Sequence, residues 1–267
     1  MKHVTSVCPG HARQLAAEAA SQYDALVAVG GDGTAFEVAS GLLEAGAAHV
    51  ILGIVPFGTG NDAARLAGIR GPEDAWRALL GGRTRAVDAV EVRCRVGGKP
   101  GVWHALVFAS VGIVGELLKQ TTPRVKRLCG SRLAYAAGLL RALWRYRPVP
   151  MRVTCDERVC ENRFLLVCAS NGEHVGGGLR LAPGARSDDG LLNLNLIEAV
   201  GRWEALRQVG RLSRGRHVGH PKVRYFTART VAVETEAAVD VQADGESIGL
   251  TPARFQVRPG ALRMLVP

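Results

Sequence analysis

Two short apolar runs each stop at a glycine-rich loop and are each followed by helical spacing, and this repeat constrains the fold more than any other feature of the chain. The first run, Asp24–Val29 (DALVAV), ends at Gly30-Gly31-Asp32-Gly33-Thr34 and gives way to a helix over Ala35–Ala45. The second, His49–Pro56 (HVILGIVP), ends at Phe57-Gly58-Thr59-Gly60-Asn61-Asp62, with a helix from Ala63. Unalternating apolar runs of this length suit strands buried on both faces, and strands alternating with helices give a parallel α/β sheet. His11–Ser21 predicts a helix ahead of the first strand, and Pro72–Leu80 another with Pro72 in its first turn. After about Asp88 the pattern changes to short Val- and Leu-rich runs bounded by Gly, Asp or Pro: Ala89–Arg95, Val102–Ser110, Met151–Thr154, Arg163–Ala169, Leu191–Ile197, Thr230–Glu234 and Val239–Gln242. Helical spacing returns only over Ser131–Arg147 and near Trp203–Leu212. The chain therefore divides into an α/β domain over 1–88 and a β-rich, sandwich-like domain over 89–267, with the extreme C-terminus expected to pack back on the first.

The chemistry of the two loops follows from their residue types. Glycine lets the main chain take positive φ and approach a ligand closely, and the N–H groups of such a loop, backed by a helix N-terminus, favour anionic phosphate. Thr34 is expected to cap that helix and offer a hydroxyl to a phosphate. Asp32 would repel phosphate unless a cation lay between them, so it points to Mg²⁺, which takes one or two carboxylates with phosphate and water. Two such loops at the ends of parallel strands face one crevice, where open α/β sheets bind ligands. Taken alone, the first loop would also suit a plain glycine turn with Asp as an ordinary cap. Gly58-x-Gly60-x-x-Ala63 also satisfies the dinucleotide fingerprint, although that motif normally opens a fold. Late in the chain, Ala243-Asp244-Gly245-Glu246 reads as a hairpin turn that can also present two carboxylates.

Composition removes several classes. The 267 residues are 47% hydrophobic and 22% charged, as in a folded protein and not a disordered one. A net charge of +10 and a pI near 9.8 call for an acidic partner: nucleic acid, anionic lipid or a phosphorylated ligand. Aromatic residues make up only 5%, which argues against single-stranded nucleic acid held by base stacking. None of Cys8, Cys94, Cys129, Cys155, Cys160 and Cys168 forms a CxxC pair, so all are expected as small buried hydrophobes in a reducing compartment. Met1–Gly10 carries no apolar signal region. The most apolar window, Ala105–Leu118, is broken by Ser110, Gly112, Gly115 and Glu116 and falls short of the roughly 20 residues a membrane helix needs. A cytoplasmic protein, peripheral at the inner face of the membrane, is expected. There is no Walker loop, no HExxH and no GxSxG elbow.

VGGDGTAFEVASGL over Val29–Leu42 and PFGTGNDAARLAG over Pro56–Gly68 resemble the diacylglycerol kinase and sphingosine kinase catalytic-domain family, in its bacterial lipid-kinase branch. Ser170-Asn171-Gly172 with Gly176–Pro183 is similar to the family's mid-chain glycine segment, Ala185–Leu192 to its metal loop, and Asp244-Gly245-Glu246 to its late DGE motif. GGDGT alone is shared with NAD kinases and phosphofructokinases; the other motifs favour lipid kinases. The resemblance implies a Rossmann-like first domain of the phosphofructokinase and NAD-kinase kind, and an ATP-dependent transfer of phosphate to a lipid hydroxyl such as that of diacylglycerol. It implies ATP contacts from Gly30, Gly31, Asp32, Gly33, Thr34, Gly58, Thr59 and Asn61. Asp32, Asp62 and Asp88 would organise a catalytic Mg²⁺ through water. Asp189 would hold a second Mg²⁺ with the carbonyls of Arg186 and Leu191. Glu246 would accept the proton, with Asp244 beside it. The chain departs from the family's pattern in two places. It shows neither the usual first strand nor the Asn-Pro-x-Ser-Gly loop, and Asn193 stands where an acid is usual.

No Asp or Glu occurs between Leu117 and Cys155, where Lys119, Arg124, Lys126, Arg127, Arg132, Arg141, Arg145, Arg147 and Arg152 lie among Trp144 and Tyr146. Such a stretch suits an interfacial helix on anionic lipid, and equally a solvated helix face. Arg202–Arg229 is a second basic region with Glu204 its only acid, and His217 and His220 could pair on a metal or stand at the surface. The expected partners are a lipid substrate at a membrane surface and anionic phospholipid, without nucleic acid, and a homodimer is left open. The alternatives are a non-catalytic relative that binds lipid or nucleic acid, an NAD(P)-dependent oxidoreductase, and a kinase of a soluble substrate.

Overall fold

The computed structural model describes residues 2–120 and 131–267, without the side chains of 131–136. Arg124, Lys126, Arg127, Cys129 and the side chain of Arg132 lie outside the described residues. Strands β1 (Ala25–Gly30) and β2 (Ile51–Pro56) pair in parallel with Gly30 opposite Pro56, so both glycine loops leave the same end of the sheet. Helix α2 (Asp32–Glu44) turns Ala35, Phe36, Ala39 and Leu42 inward. Burying a side chain the size of Phe36 or Leu42 contributes about 1.5–3 kcal/mol. Helix α1 (His11–Ala19) crosses α2 in close contact at Gly41, where a Cβ would collide with the carbonyl oxygen of Arg13. Glu37 accepts from the N–H groups of Gly10 (2.8 Å) and Ala12 (3.0 Å), which puts a carboxylate at the positive end of α1. Helices α3 (Asp62–Leu66) and α4 (Pro72–Gly81) complete this part, α4 starting at Pro72 and closing at Gly82 in left-handed conformation, φ 63°.

The β-rich part comprises β3 (Thr84–Val96), β4 (Lys99–Ala105), β5 (Phe108–Gly112), β6 (Val149–Cys155), β7 (Arg158–Ser170), β8 (Leu192–Glu198), β9 (Val223–Ala228), β10 (Thr230–Glu234), β11 (Asp240–Ala243) and β12 (Glu246–Leu265). The pairing β12–β10–β6–β7–β5–β11 returns to β12, a closed path around a core that includes Val153, Phe164, Val167, Leu194, Val233 and Phe255. Helices α5 (Ile113–Gln120), α6 (Ser131–Arg145) and α7 (Arg202–Leu212) cover the outer face of β7, packing Ile113, Ala142, Leu143 and Ala205 into the cluster that holds Leu166 and Cys168.

One strand ties the parts together. β12 pairs with β11 at its start, with β10 in its middle and with β3 along most of its length, and then lays Arg263 and Met264 parallel to Ile51 and Leu52 of β2. Sequence alternation missed it because Gly249, Pro252, Pro259 and Gly260 interrupt the pattern, and the register shifts between Leu250 and Arg254 and between Arg258 and Leu262. Strand β9 and helix α5 were also absent from the sequence reading. The division at 88/89 falls inside β3, which pairs with β12 from Thr84 to Arg95, so the two parts share a strand. The expected run Val102–Ser110 breaks into β4 and β5 at Leu106-Val107, for a reason found in the site below. Cys8 is exposed, contrary to the expectation of burial; Cys94, Cys155, Cys160 and Cys168 are buried and free. Among the described residues, no helix is long and apolar enough to cross a membrane.

Candidate active site

The two glycine loops touch. A Cβ on Gly58 would lie 2.6 Å from the Cα of Gly31 and 2.8 Å from Asn61 Oδ1, so neither loop leaves room for a side chain. Gly31 is the N-cap of α2 and its carbonyl accepts the first helical bond, from Ala35. Thr34 is thus not the cap, as the sequence suggested; it stands in the first turn with its hydroxyl packed over Gly30. Asn61, at φ 56°, donates to the Gly58 carbonyl and accepts from the Gly58 N–H, both at 2.9 Å. Both ends of its amide thus shape the loop. Gly33 and Thr59 are exposed at the loop tips. Replacing Gly58 by Ala is expected to push the loops apart, lowering stability by about 1–3 kcal/mol and turnover by about 10²-fold. Thermal melting and steady-state kinetics of the variant would show it, and wild-type values in both would contradict the contact.

A third loop closes over the first two. Gly176, Gly177 and Gly178 all have positive φ, and the Gly177 N–H donates to Asp62 Oδ2 at 2.7 Å. A Cβ on Gly60 would lie 2.5 Å from Asp32 Oδ2 and 3.4 Å from the Cα of Gly177. Arg65 Nη1 donates to Asp62 Oδ1 at 2.8 Å and also to the Gly60 carbonyl. Sequence reasoning gave no site role to Gly176–Gly178 or Arg65, though three successive glycines signal positive φ and Arg65 stands one helical turn after Asp62. Burial pushes the Asp62 carboxyl above its ordinary range, and the charge of Asp32 adds to the rise; the Gly177 N–H and Arg65 oppose it. Asp32 Oδ1 accepts from the Ala63 N–H at 3.0 Å, at the start of α3. A dinucleotide pyrophosphate at this five-residue helix would meet two carboxylates, which removes the physical basis of the fingerprint reading. Mg²⁺ fits better. Among the described residues no cluster of three or more His, Cys, Asp or Glu forms a protein cage, but Asp32 and Asp62 supply the one or two carboxylates that a phosphate- and water-bound Mg²⁺ takes.

Asp244 and Glu246 divide their roles. Asp244-Gly245 forms the hairpin between β11 and β12, with φ 47° and 85° as a type I′ turn requires. The Asp244 carboxylate accepts from the N–H groups of Leu106 (2.6 Å), Val107 (2.8 Å) and Phe108 (2.9 Å). These three acceptances account for the break between β4 and β5: the N–H groups turn to the carboxylate instead of a neighbouring strand. Burial pushes the Asp244 carboxyl up to about 6 against the pull of the three donors, with the Asp32 charge adding to the rise. Glu246 is exposed, and its Oε1 lies 4.0 Å from where a Cβ on Gly33 would stand, which brings it to the N-terminus of α2. The Asp244 carboxylate thus braces the β4–β5 break, whereas Glu246 faces the loop.

The buried Asp88 carboxylate clamps two loops of the β-rich part: its Oδ1 accepts from the Gly260 N–H (2.8 Å) and its Oδ2 from the Gly190 N–H (2.7 Å). The Asn171 amide binds the carbonyls of Asp88 (2.7 Å) and Leu106 (2.8 Å) and links this clamp to the Asp244 turn. Asp189 is exposed and accepts from the Leu191 N–H at 3.0 Å; Arg186 pairs with Asp188 at 3.2 Å. An open cavity of about 620 Å³ lies beside this loop, lined by Asp88, Asp188, Asp189, Arg229 and Gly260 among others. His217 is no surface metal ligand: it is buried, with Nε2 3.1 Å from Asn195 Oδ1, and His220 instead faces Glu204 at 3.0 Å.

Known proteins resemble this chain in sequence and fold. Residues 1–92 match the family described as diacylglycerol kinase catalytic domain, and residues 110–266 the YegS C-terminal NAD kinase beta sandwich-like domain. The chain is 37% identical over 268 residues to the "probable lipid kinase YegS-like" of Pseudomonas aeruginosa, covering 97% of this chain and 82% of that protein. To a diacylglycerol kinase of Mycobacterium tuberculosis it is 32% identical over 259 residues, covering 95% and 80%. Its fold is similar to the crystal structure of a candidate diacylglycerol kinase from Bacillus anthracis, with a TM-score of 0.79 and 26% identity over 98% of this chain and 83% of that one.

Proposed function

The chain belongs to the diacylglycerol kinase catalytic-domain family, and from that premise we propose that it transfers the γ-phosphate of ATP to the hydroxyl of a lipid such as diacylglycerol. The observation that carries this reading is the approach of Glu246 to Gly33, which sets a carboxylate against the helix N-terminus where the two glycine loops meet. In this reading, the N–H groups at the start of α2 and the loop 58–60 hold the nucleotide phosphates. Glu246 takes the proton of the lipid hydroxyl, the hydroxyl oxygen forms a bond to the γ-phosphorus, and the bond from that phosphorus to the β-phosphate bridging oxygen breaks, releasing ADP. Asp32 and Asp62 would hold Mg²⁺, which neutralises phosphate charge when bound. The loop carrying Arg186, Asp189 and Leu191 would take a second Mg²⁺ that stiffens it against the Asp88 clamp.

Incubation with ATP, Mg²⁺ and a panel of lipid alcohols in mixed micelles tests the proposal. Lipid-dependent ADP release is expected, and chelation of Mg²⁺ should abolish it. ATP binding with turnover only of a water-soluble alcohol would replace the lipid by a soluble acceptor. Lipid binding without any ADP release would make the chain a non-catalytic relative.

A further inference from the structure

The helices over β7 leave one surface that is apolar and basic at once. Trp144 on α6 is 48% exposed and Trp203 on α7 is 71% exposed. Their rings meet edge to face, with centroids 6.4 Å apart and planes at 87°. Leu140, one turn before Trp144, is also exposed. Arg202 lies over the Trp144 ring, 4.7 Å from its centroid, and donates to the Trp144 carbonyl at 3.3 Å. Arg141 and Arg145 stand exposed on α6, and Arg207 and Arg211 on α7. Glu204 is the one acid within these two helices, and it is turned to His220 (3.0 Å) and Lys222 (3.8 Å).

Large exposed apolar side chains ringed by uncompensated cations narrow the choice of partner. A second copy docked by two-fold symmetry would bring arginine against arginine. Stacking of nucleic-acid bases needs open ring faces, and Arg202 covers one face of the Trp144 ring, while a T-shaped pair offers no parallel platform for successive bases. A bilayer surface meets both demands, since tryptophan settles at headgroup depth and arginine pairs with lipid phosphate. Asp240 links the surroundings of the patch to the site. Lys119 of α5 holds Asp240 at 2.6 Å, and Tyr146, just past α6, lies near enough for the Asp240 charge to act on it. From Asp240, β11 runs about 13 Å to the Asp244-Gly245 turn that precedes Glu246.

We infer that the exposed face of α6 and α7, centred on Trp144 and Trp203 and flanked by Arg141, Arg145, Arg207 and Arg211, docks the protein on an anionic bilayer. The choice of a bilayer as partner rests on the lipid-kinase reading; the surface itself does not. Sedimentation with vesicles of phosphatidylcholine alone, and of phosphatidylcholine with phosphatidylglycerol, tests it. The wild type is expected to favour the anionic vesicles, with partition weakening as salt rises. Each arginine near the surface is worth about fivefold in partition, so Arg141→Glu with Arg207→Glu should lower it at least about 25-fold. Trp144→Ala with Trp203→Ala should lower it comparably. The arginine pair lies at the exposed surface, so it still decides the question if the tryptophan pair fails to fold, as thermal melting would reveal. Both double variants should retain turnover of a short-chain, water-soluble lipid alcohol. Equal partition of the wild type on the two vesicle types, or undiminished partition of folded variants, overturns the proposal. So does a wild-type dimer that Trp144→Ala with Trp203→Ala dissociates, or an oligonucleotide that displaces the protein from anionic vesicles at equal phosphate. Vesicle binding as expected with no lipid turnover would retain the docking surface and overturn the proposed function.

Discussion

Glu246→Gln is expected to lower phosphoryl transfer by about 10²–10⁴-fold while leaving the fold and ATP binding intact. The substitution keeps the size of the side chain while removing its charge and its ability to take a proton. Glu246 is exposed at the start of β12, so the amide introduces no buried orphan. Its Oε1 faces the Gly33 position at 4.0 Å, where a lipid hydroxyl would have to stand to reach a phosphate on the α2 N-terminus. Turnover measured beside thermal melting and binding of a non-hydrolysable ATP analogue separates the cases. Near wild-type turnover would remove Glu246 as the base, and loss of nucleotide binding would mean that it shapes the phosphate loop instead.

Asp244→Asn should damage both stability and rate, with a signature in pH. Asn offers one carbonyl oxygen where three N–H groups now share two, and its own NH₂ would face a donor. Each N–H left without an acceptor costs about 1–3 kcal/mol, and a shifted turn carries Glu246 with it. The folded pKa of Asp244, about 6, lies above the ordinary carboxylate value because burial outweighs the three donors. The folded state therefore holds this proton more tightly than the unfolded chain does. The contribution is fullest below about pH 4 and declines as pH rises to about 6. Asn carries no such proton, so the stability advantage of the wild type should narrow across that window. Urea midpoints at a series of pH values would show it; a gap that widens with rising pH would mean that the three donors outweigh burial and the folded pKa is depressed.

Much of the candidate site is legible in the chain because its signals are local. Gly30–Thr34 and Gly58–Asp62 each combine a strand end, a glycine turn and a helix start within a few residues, and Asp244-Gly245 sets its own turn type through positive φ. Tertiary structure alone decided what those pieces do to one another. The family resemblance grouped Asp88 with Asp32 and Asp62, but gave no sign that its oxygens accept from N–H groups 102 and 172 residues away, partners no local pattern can name. Asp244 was read as an acid beside the base; three backbone donors from the β4–β5 break make it the brace that aims the turn. The longest strand, β12, was invisible because Pro252, Pro259, Gly249 and Gly260 erase alternation, yet it starts at Glu246 and ends paired with β2. Local propensity fixes turns and caps over a few residues. Strand pairing and the choice of acceptor for each buried N–H depend on which distant segments arrive, and the fold as a whole settles them together.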